Sequence, residues 1–183
     1  MLPFMPRPAF VRQRILEAAF DRFATDGYEA VSTRDVAAAA KVGSASMFKH
    51  FPTKEALGRE LYSTALRPLL AELDALLAGA ATPLDALRGF VALMARWYDQ
   101  RPRALALVVF PPHEFTPVEL DDARPDSLRQ RLRRALRTDD DATAVIWGAC
   151  CGPFIDRYLR RRAGTMVPQA EALAATIIRL LDP

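Results

Sequence analysis

Residues 32–51, STRDVAAAAKVGSASMFKHF, leave a folded chain few options. Ser32 stands three residues ahead of Asp35, so hydroxyl and carboxylate can each satisfy an unpaired N–H at the start of a helix, and the spacing predicts a helix beginning at Thr33. Val36, Ala37 and Ala40 fall along one side of it. Lys41-Val42-Gly43 then interrupts the pattern. A second short helix fits residues 44–50, with Met47 and Phe51 four apart and Pro52 stopping it. Two helices joined by a three-residue turn form the layout that reads DNA, with the second helix in the major groove. Small or polar side chains lead that second helix (Ser44, Ala45, Ser46) and larger ones follow (Phe48, Lys49, His50). Many small helical domains contain such a pair, so the flanking sequence decides its meaning.

Upstream, Val11, Ile15, Ala19 and Phe23 are four apart and flanked by Leu16 and Phe20, while Arg12, Arg14, Glu17, Asp21 and Arg22 fall elsewhere. That is an amphipathic helix from Ala9, ended by Asp26-Gly27, where glycine suits the left-handed position after a helix. Tyr28 and Val31 lead back to the Ser32 cap. Downstream, Lys54 opens a long helical segment with Leu57, Leu61, Ala65 and Leu69 four apart and Leu70, Leu73, Leu76 and Leu77 continuing the apolar side; Pro68 is expected to bend or break it.

The order of these features resembles the tetracycline-repressor (TetR) type of bacterial transcriptional regulators. The matching residues are ILEAAFDRFATDGYEAVSTRDVA, the turn KVG, and SASMFKHFPTKEAL, covering about a quarter of the chain. The resemblance implies an all-α protein of about nine helices, with an N-terminal three-helix helix-turn-helix head in residues 1–53 and a C-terminal ligand-binding and dimerisation bundle in residues 54–183. It implies phosphate-facing roles for Thr33, Lys49, His50 and Lys54, and places Ser44, Ala45 and Ser46 nearest the base edges, with Phe48 where the family often has Tyr. Lys41 stands where the turn commonly carries Gly, so a side chain is expected in a left-handed conformation. Gly43 stands where a capping Ser is common. The leading turn has no Arg, Asn or Gln to grip a base bidentately, so selectivity is expected to rest on backbone contacts, dimer spacing and DNA shape.

Composition narrows the alternatives. Half of the 183 residues are hydrophobic, which supports a real core and argues against a disordered chain. The net charge of +3 permits nucleic acid without requiring it, and residues 1–62 hold nine Lys/Arg against seven Asp/Glu, so any basic surface is local. Two adjacent cysteines, Cys150 and Cys151, rule out a disulfide framework and favour a reducing, cytoplasmic setting. No apolar run approaches the roughly 20 residues of a membrane span. Residues 1–8, with three prolines and no apolar signal core, read as a disordered arm. There is no phosphate-cradling glycine loop, no metal-ligand spacing and no histidine beside a nucleophile, so neither an enzyme nor a cofactor is expected.

Further along, Thr82-Pro83-Leu84-Asp85 caps a helix that runs to about Gln100 with Leu84, Leu87, Phe90, Val91, Met94, Trp97 and Tyr98 over a wide apolar arc. Arg101-Pro102 ends it, residues 105–110 form a short apolar segment, and the prolines of residues 111–125 indicate a loop. A helix restarting at Asp126 or Ser127 turns Leu128, Leu132 and Leu136 inward; its run of Arg129, Arg131, Arg133, Arg134 and Arg137 is read as a solvated face rather than a second nucleic-acid site. Asp139, Asp140 and Asp141 fill the first turn of the following helix rather than hold a metal.

The last two helices, about residues 142–162 and 168–181, are apolar on more than one side, with Gly148 and Gly152 one turn apart and Pro153 expected to kink the first. Such excess apolar surface points to a homodimer interface at about residues 142–181, as the resemblance also implies. Met94, Trp97, Tyr98, Phe110, Phe115, Trp147, Cys150 and Phe154 together suggest a small apolar or aromatic effector, with His113 and Arg101 as the polar groups to orient it. Cys150 and Cys151 are read as buried inert thiols. The expected function is a ligand-released repressor binding a palindromic DNA operator as a dimer. The alternative is a helical scaffold whose helix pair docks protein instead of DNA.

Overall fold

Both capping signals read from the sequence are built as hydrogen bonds. In the computed structural model, which describes residues 7–109, 127–159 and 163–181, Ser32 and Asp35 form a reciprocal capping box at the start of one helix and Thr82 and Asp85 form another. Every described element is a helix. In chain order they are α1 (Arg7–Asp26), α2 (Thr33–Ala39), α3 (Ser44–His50), α4 (Lys54–Gly79), α5 (Pro83–Gln100), α6 (Pro102–Val109), α7 (Leu128–Leu136), α8 (Asp140–Tyr158), a 3-10 turn (Val167–Gln169) and α9 (Ala170–Leu181). None of the described helices is long and apolar enough to cross a membrane.

The described residues form two compact units, one ending at Thr64 and the other beginning at Ala65. In the first, Ile15, Leu16, Ala19 and Phe23 of α1 are buried, as are Val36 and Ala37 of α2, Met47 of α3, and Leu57 and Leu61 of α4. These are the positions that helical spacing turns inward. Gly27 closes α1 with φ +85, and Phe23 meets Tyr28 edge-on at 4.9 Å just beyond it.

The second unit is organised on α5. Its buried positions, Ala86, Leu87, Phe90, Val91, Leu93, Met94, Ala95 and Trp97, cover most of its circumference, and α6, α7, α8 and α9 all pack against it. A helix apolar on nearly every side belongs in a core. A Cβ at Gly89 would stand 2.9 Å from the Leu76 side chain, so this glycine lets α4 and α5 approach closely. Glu72 of α4 fastens the pair, accepting from Arg96 at 2.9 Å and lying 3.5 Å from Arg101. Asp139 caps α8 by accepting from the Ala142 N–H, and Asp140 faces Arg133 at 3.6 Å.

Several expectations shift. Helix α1 starts at Arg7, so the arm expected over residues 1–8 gives up its last two residues; Pro8 falls in the first turn, where a missing N–H breaks no helical bond. Pro68 does not break α4. Both Pro68 and Thr64, whose carbonyl loses its donor, are exposed, so water can supply the partner. Helix α8 likewise continues through Pro153 to Tyr158, and the C-terminal helix opens with the 3-10 turn. Leu84 is 47% exposed in the first turn of α5, outside the apolar arc predicted for it. The loop expected over residues 111–125 lies outside the described residues.

Candidate nucleic-acid interface

Helix α3 divides its side chains sharply. Met47 is fully buried and Ser46 and His50 are half-buried, while Ser44, Ala45, Phe48 and Lys49 are exposed together on the opposite side, at offsets that share one helical face. Phe48 keeps 48% of its surface open, an unusual position for an aromatic ring unless something covers it. Lys49 and His50 occupy the last turn, where positive charge complements the carbonyl end of the helix.

The turn before α3 is held from a distance. Lys41 has φ 54, and its N–H donates to the Ala38 carbonyl at 3.0 Å while the Val42 N–H donates to the Ala37 carbonyl at 3.0 Å. Those two bonds make a Schellman closure of α2, with lysine in the position that favours glycine. Arg14 of α1 donates through Nη2 to the Ala40 carbonyl and, at 3.3 Å, to the Lys41 carbonyl. The other end of α3 is fastened too: the Arg12 guanidinium lies 5.0 Å over the Phe51 ring and pairs with Glu60 at 3.0 Å. The reading helix is thus fixed at both ends by arginines of α1.

At the front of α2, the Ser32 hydroxyl donates to Asp35 Oδ2 at 2.6 Å and the Ser32 N–H at 2.8 Å. The hydroxyl contact, then the backbone one, hold the Asp35 carboxyl below its ordinary value. Thr33 follows, half-buried. Lys54 is half-buried; its Nζ lies 4.2 Å over the Tyr28 ring and donates to the Glu29 carbonyl at 3.3 Å. These contacts orient the ammonium.

Sequence reasoning passed over Arg14 and Arg12, which look like ordinary solvated positions of an amphipathic helix. It also passed over Arg34, exposed beside Thr33 in the first turn of α2. A cation at a helix start opposes the macrodipole, and Asp35 in the same turn offsets it.

The effector candidates fall in the second unit. Met94, Trp97, Cys150 and Phe154 are buried in one apolar cluster, with Tyr98 and Trp147 packed against it. Trp147 stacks on Phe90 at 6.0 Å and Tyr98 meets Phe154 edge-on at 5.2 Å. Arg101 lies 4.8 Å over the Trp97 ring. Phe110, His113 and Phe115 lie outside the described residues. Burial pushes the Cys150 thiol well up and the Cys151 thiol up to about 12. No group of three or more His, Cys, Asp or Glu positioned for a metal occurs among the described residues.

A short helix with one face turned outward, set in a three-helix frame and joined to a helical bundle, defines a helix-turn-helix DNA-binding regulator. The sequence model of bacterial regulatory proteins of the tetR family matches residues 15–61. Residues 15–61 thus carry the DNA-binding region of the TetR family of transcriptional regulators. It is 34% identical over 90 residues to the HTH-type transcriptional repressor KstR2 of Mycolicibacterium smegmatis, a match taking in 49% of this chain and 44% of that protein. This match therefore spans under half of KstR2. The chain is 27% identical to the probable acrEF/envCD operon repressor of Escherichia coli K12, covering 94% of this chain and 87% of the relative. Among solved structures, the TetR family transcriptional regulator PfmR of Thermus thermophilus superposes with a TM-score of 0.72 at 27% identity, covering 91% of this chain and 97% of that one.

Proposed function

We propose that the protein is a cytoplasmic repressor that binds a palindromic operator as a homodimer and is released by a small apolar or aromatic effector. The observation that carries this reading is the exposed face of α3, fixed at both ends by Arg14 and Arg12. With residues 1–53 as the DNA-reading head, Ser44, Ala45 and Ser46 enter the major groove and Phe48 offers its ring to a thymine methyl. Thr33, Lys49, His50 and Lys54 fix register on phosphates. Because short side chains lead, much of the selectivity comes from half-site spacing and DNA shape.

Residues 54–183 serve as the effector-binding and dimerisation part. Exposed apolar side chains on the last two helices, Val145 and Leu180 among them, support pairing over about residues 142–181. Among the described residues, nothing beyond the helix's own neighbouring backbone lies within 4 Å of a Cβ built at Gly148 or Gly152, which leaves room there for a partner helix. The effector is read as lodging among Met94, Trp97, Tyr98, Trp147, Cys150 and Phe154, with Phe110, His113 and Phe115 completing the set. Effector and operator binding are then reciprocally linked.

Fluorescence anisotropy with DNA flanking the gene tests the reading. Binding should weaken steeply with salt, and Lys49→Ala with Lys54→Ala should lower the salt slope by about one per lost phosphate contact. A slope unchanged in the double variant refutes the assigned contacts. A monomer by light scattering at micromolar concentration refutes the paired half-sites.

A further inference from the structure

The inward side of α8 runs Thr143, Ile146, Cys150, Phe154 and Arg157, at steps of three and four residues, and all five are buried. The first four suit an apolar contact surface. The fifth carries a full positive charge, with only 6% of its surface left to solvent. Arg157 Nη1 donates to the Pro153 carbonyl at 3.1 Å and Nη2 to Gln169 Oε1 at 2.6 Å, while Nε is buried with no acceptor. Both acceptors are neutral. No carboxylate among the described residues forms an ion pair with this guanidinium.

The acid that does reach this corner is already engaged. Asp99, at the end of α5, accepts the Met166 N–H at 2.7 Å and the Val167 N–H at 2.9 Å, one carboxylate oxygen for each, and so closes the 3-10 turn that carries Gln169. Asp156 precedes Arg157 on the same helix, turned about 100° from it. A buried cation is retained at a large desolvation penalty unless an anion completes it. A guanidinium presents five N–H donors in a planar fork that matches a carboxylate bidentately.

The surroundings specify the rest of the ligand. Phe154, one turn before Arg157, meets the Tyr98 ring edge-on at 5.2 Å and the Tyr158 ring at 5.8 Å, and Tyr98 is half-buried. A cation at the end of an aromatic wall is complementary to a molecule with an apolar body and a single anionic head. We propose that Arg157 is a ligand-binding residue that takes the carboxylate of the effector, which is therefore an organic acid with an apolar or aromatic body. This rests on the reading that the apolar cluster of the second unit binds a small-molecule effector.

Matched acids and methyl esters test it on the full chain. Decanoate and 4-phenylbutyrate are each titrated beside their methyl esters at about pH 8, where the acids are ionised. Calorimetry and the fluorescence of Trp97 and Trp147 report binding. At least one acid should bind about 30-fold more tightly than its ester, the scale of a charge-assisted bidentate contact. The long-chain and aromatic pairs show which body the site prefers. Arg157→Gln should bring the acid down to the ester's affinity, and Arg157→Lys should keep part of the preference.

Without ligand, Arg157→Met should melt no lower than the parent, because it removes a buried charge without a counter-ion; a merely structural tether to Gln169 predicts a clear loss. Equal affinity for acid and ester, or an acid affinity unmoved by Arg157→Gln and Arg157→Lys, overturns the assignment of Arg157 while leaving an effector site standing. No binding of either acid or either ester at about 1 mM overturns the effector reading, and this proposal with it.

Discussion

Lys41→Gly should make the protein more stable. Lys41 occupies the left-handed region with φ 54, which costs a residue bearing a Cβ about 1–2 kcal/mol relative to right-handed backbone. The turn takes part in its defining bonds through backbone groups alone: the Lys41 N–H donates to Ala38, the Val42 N–H to Ala37, and the Lys41 carbonyl accepts from the Arg14 guanidinium. Glycine keeps every one of them. Against the relief stands glycine's greater freedom in the unfolded chain, about 0.4–1 kcal/mol. The net gain is then about 0.5–1 kcal/mol, or a rise of about 1–4 °C in midpoint for a chain of this size. Differential scanning calorimetry beside Lys41→Ala isolates the cause, since alanine removes the long side chain and keeps the strain. Alanine should leave the midpoint within about 1 °C of the parent. A rise shared equally by both variants would show that side-chain charge, not backbone conformation, governs this turn, and a fall in Lys41→Gly alone would refute the Schellman geometry.

Arg14→Met removes the donors to the Ala40 and Lys41 carbonyls, so the head should lose about 1–2 kcal/mol and operator affinity should fall several-fold under conditions where the variant stays folded; anisotropy together with a melt checks both. The Glu72 carboxyl is held below its ordinary 4.5, first by the hydrogen bond from Arg96, so its stabilisation is complete above that value and is lost as the pH falls through the depressed one. Glu72→Gln should accordingly lower stability at pH 7 by under about 1 kcal/mol, given the pair's exposure, and flatten the acid limb of a pH-dependent melt. Cys150 and Cys151, with thiols raised by burial, should resist a thiol reagent at about pH 8 in the native protein and react once it unfolds; rapid native labelling would contradict their burial.

The features legible in the sequence are those that depend on residues within one or two helical turns. The Ser32 and Thr82 caps, the left-handed Gly27, the spans of α2 and α3 and the inward stripe of α5 were legible because their partners lie at most five residues away, whereas the left-handed Lys41 was implied by the family resemblance. The same locality made the exposed α3 side chains identifiable as a set. Which charges lie on the surface and which hold the fold together emerges only from packing. Arg14 and the Ala40 carbonyl it grips are 26 residues apart, and Asp99 closes a turn 67 residues away. In both cases one partner is a backbone group that every residue carries, so residue identity cannot flag it. Arg157 is the sharpest instance: only packing revealed a buried cation whose bonded acceptors are both neutral.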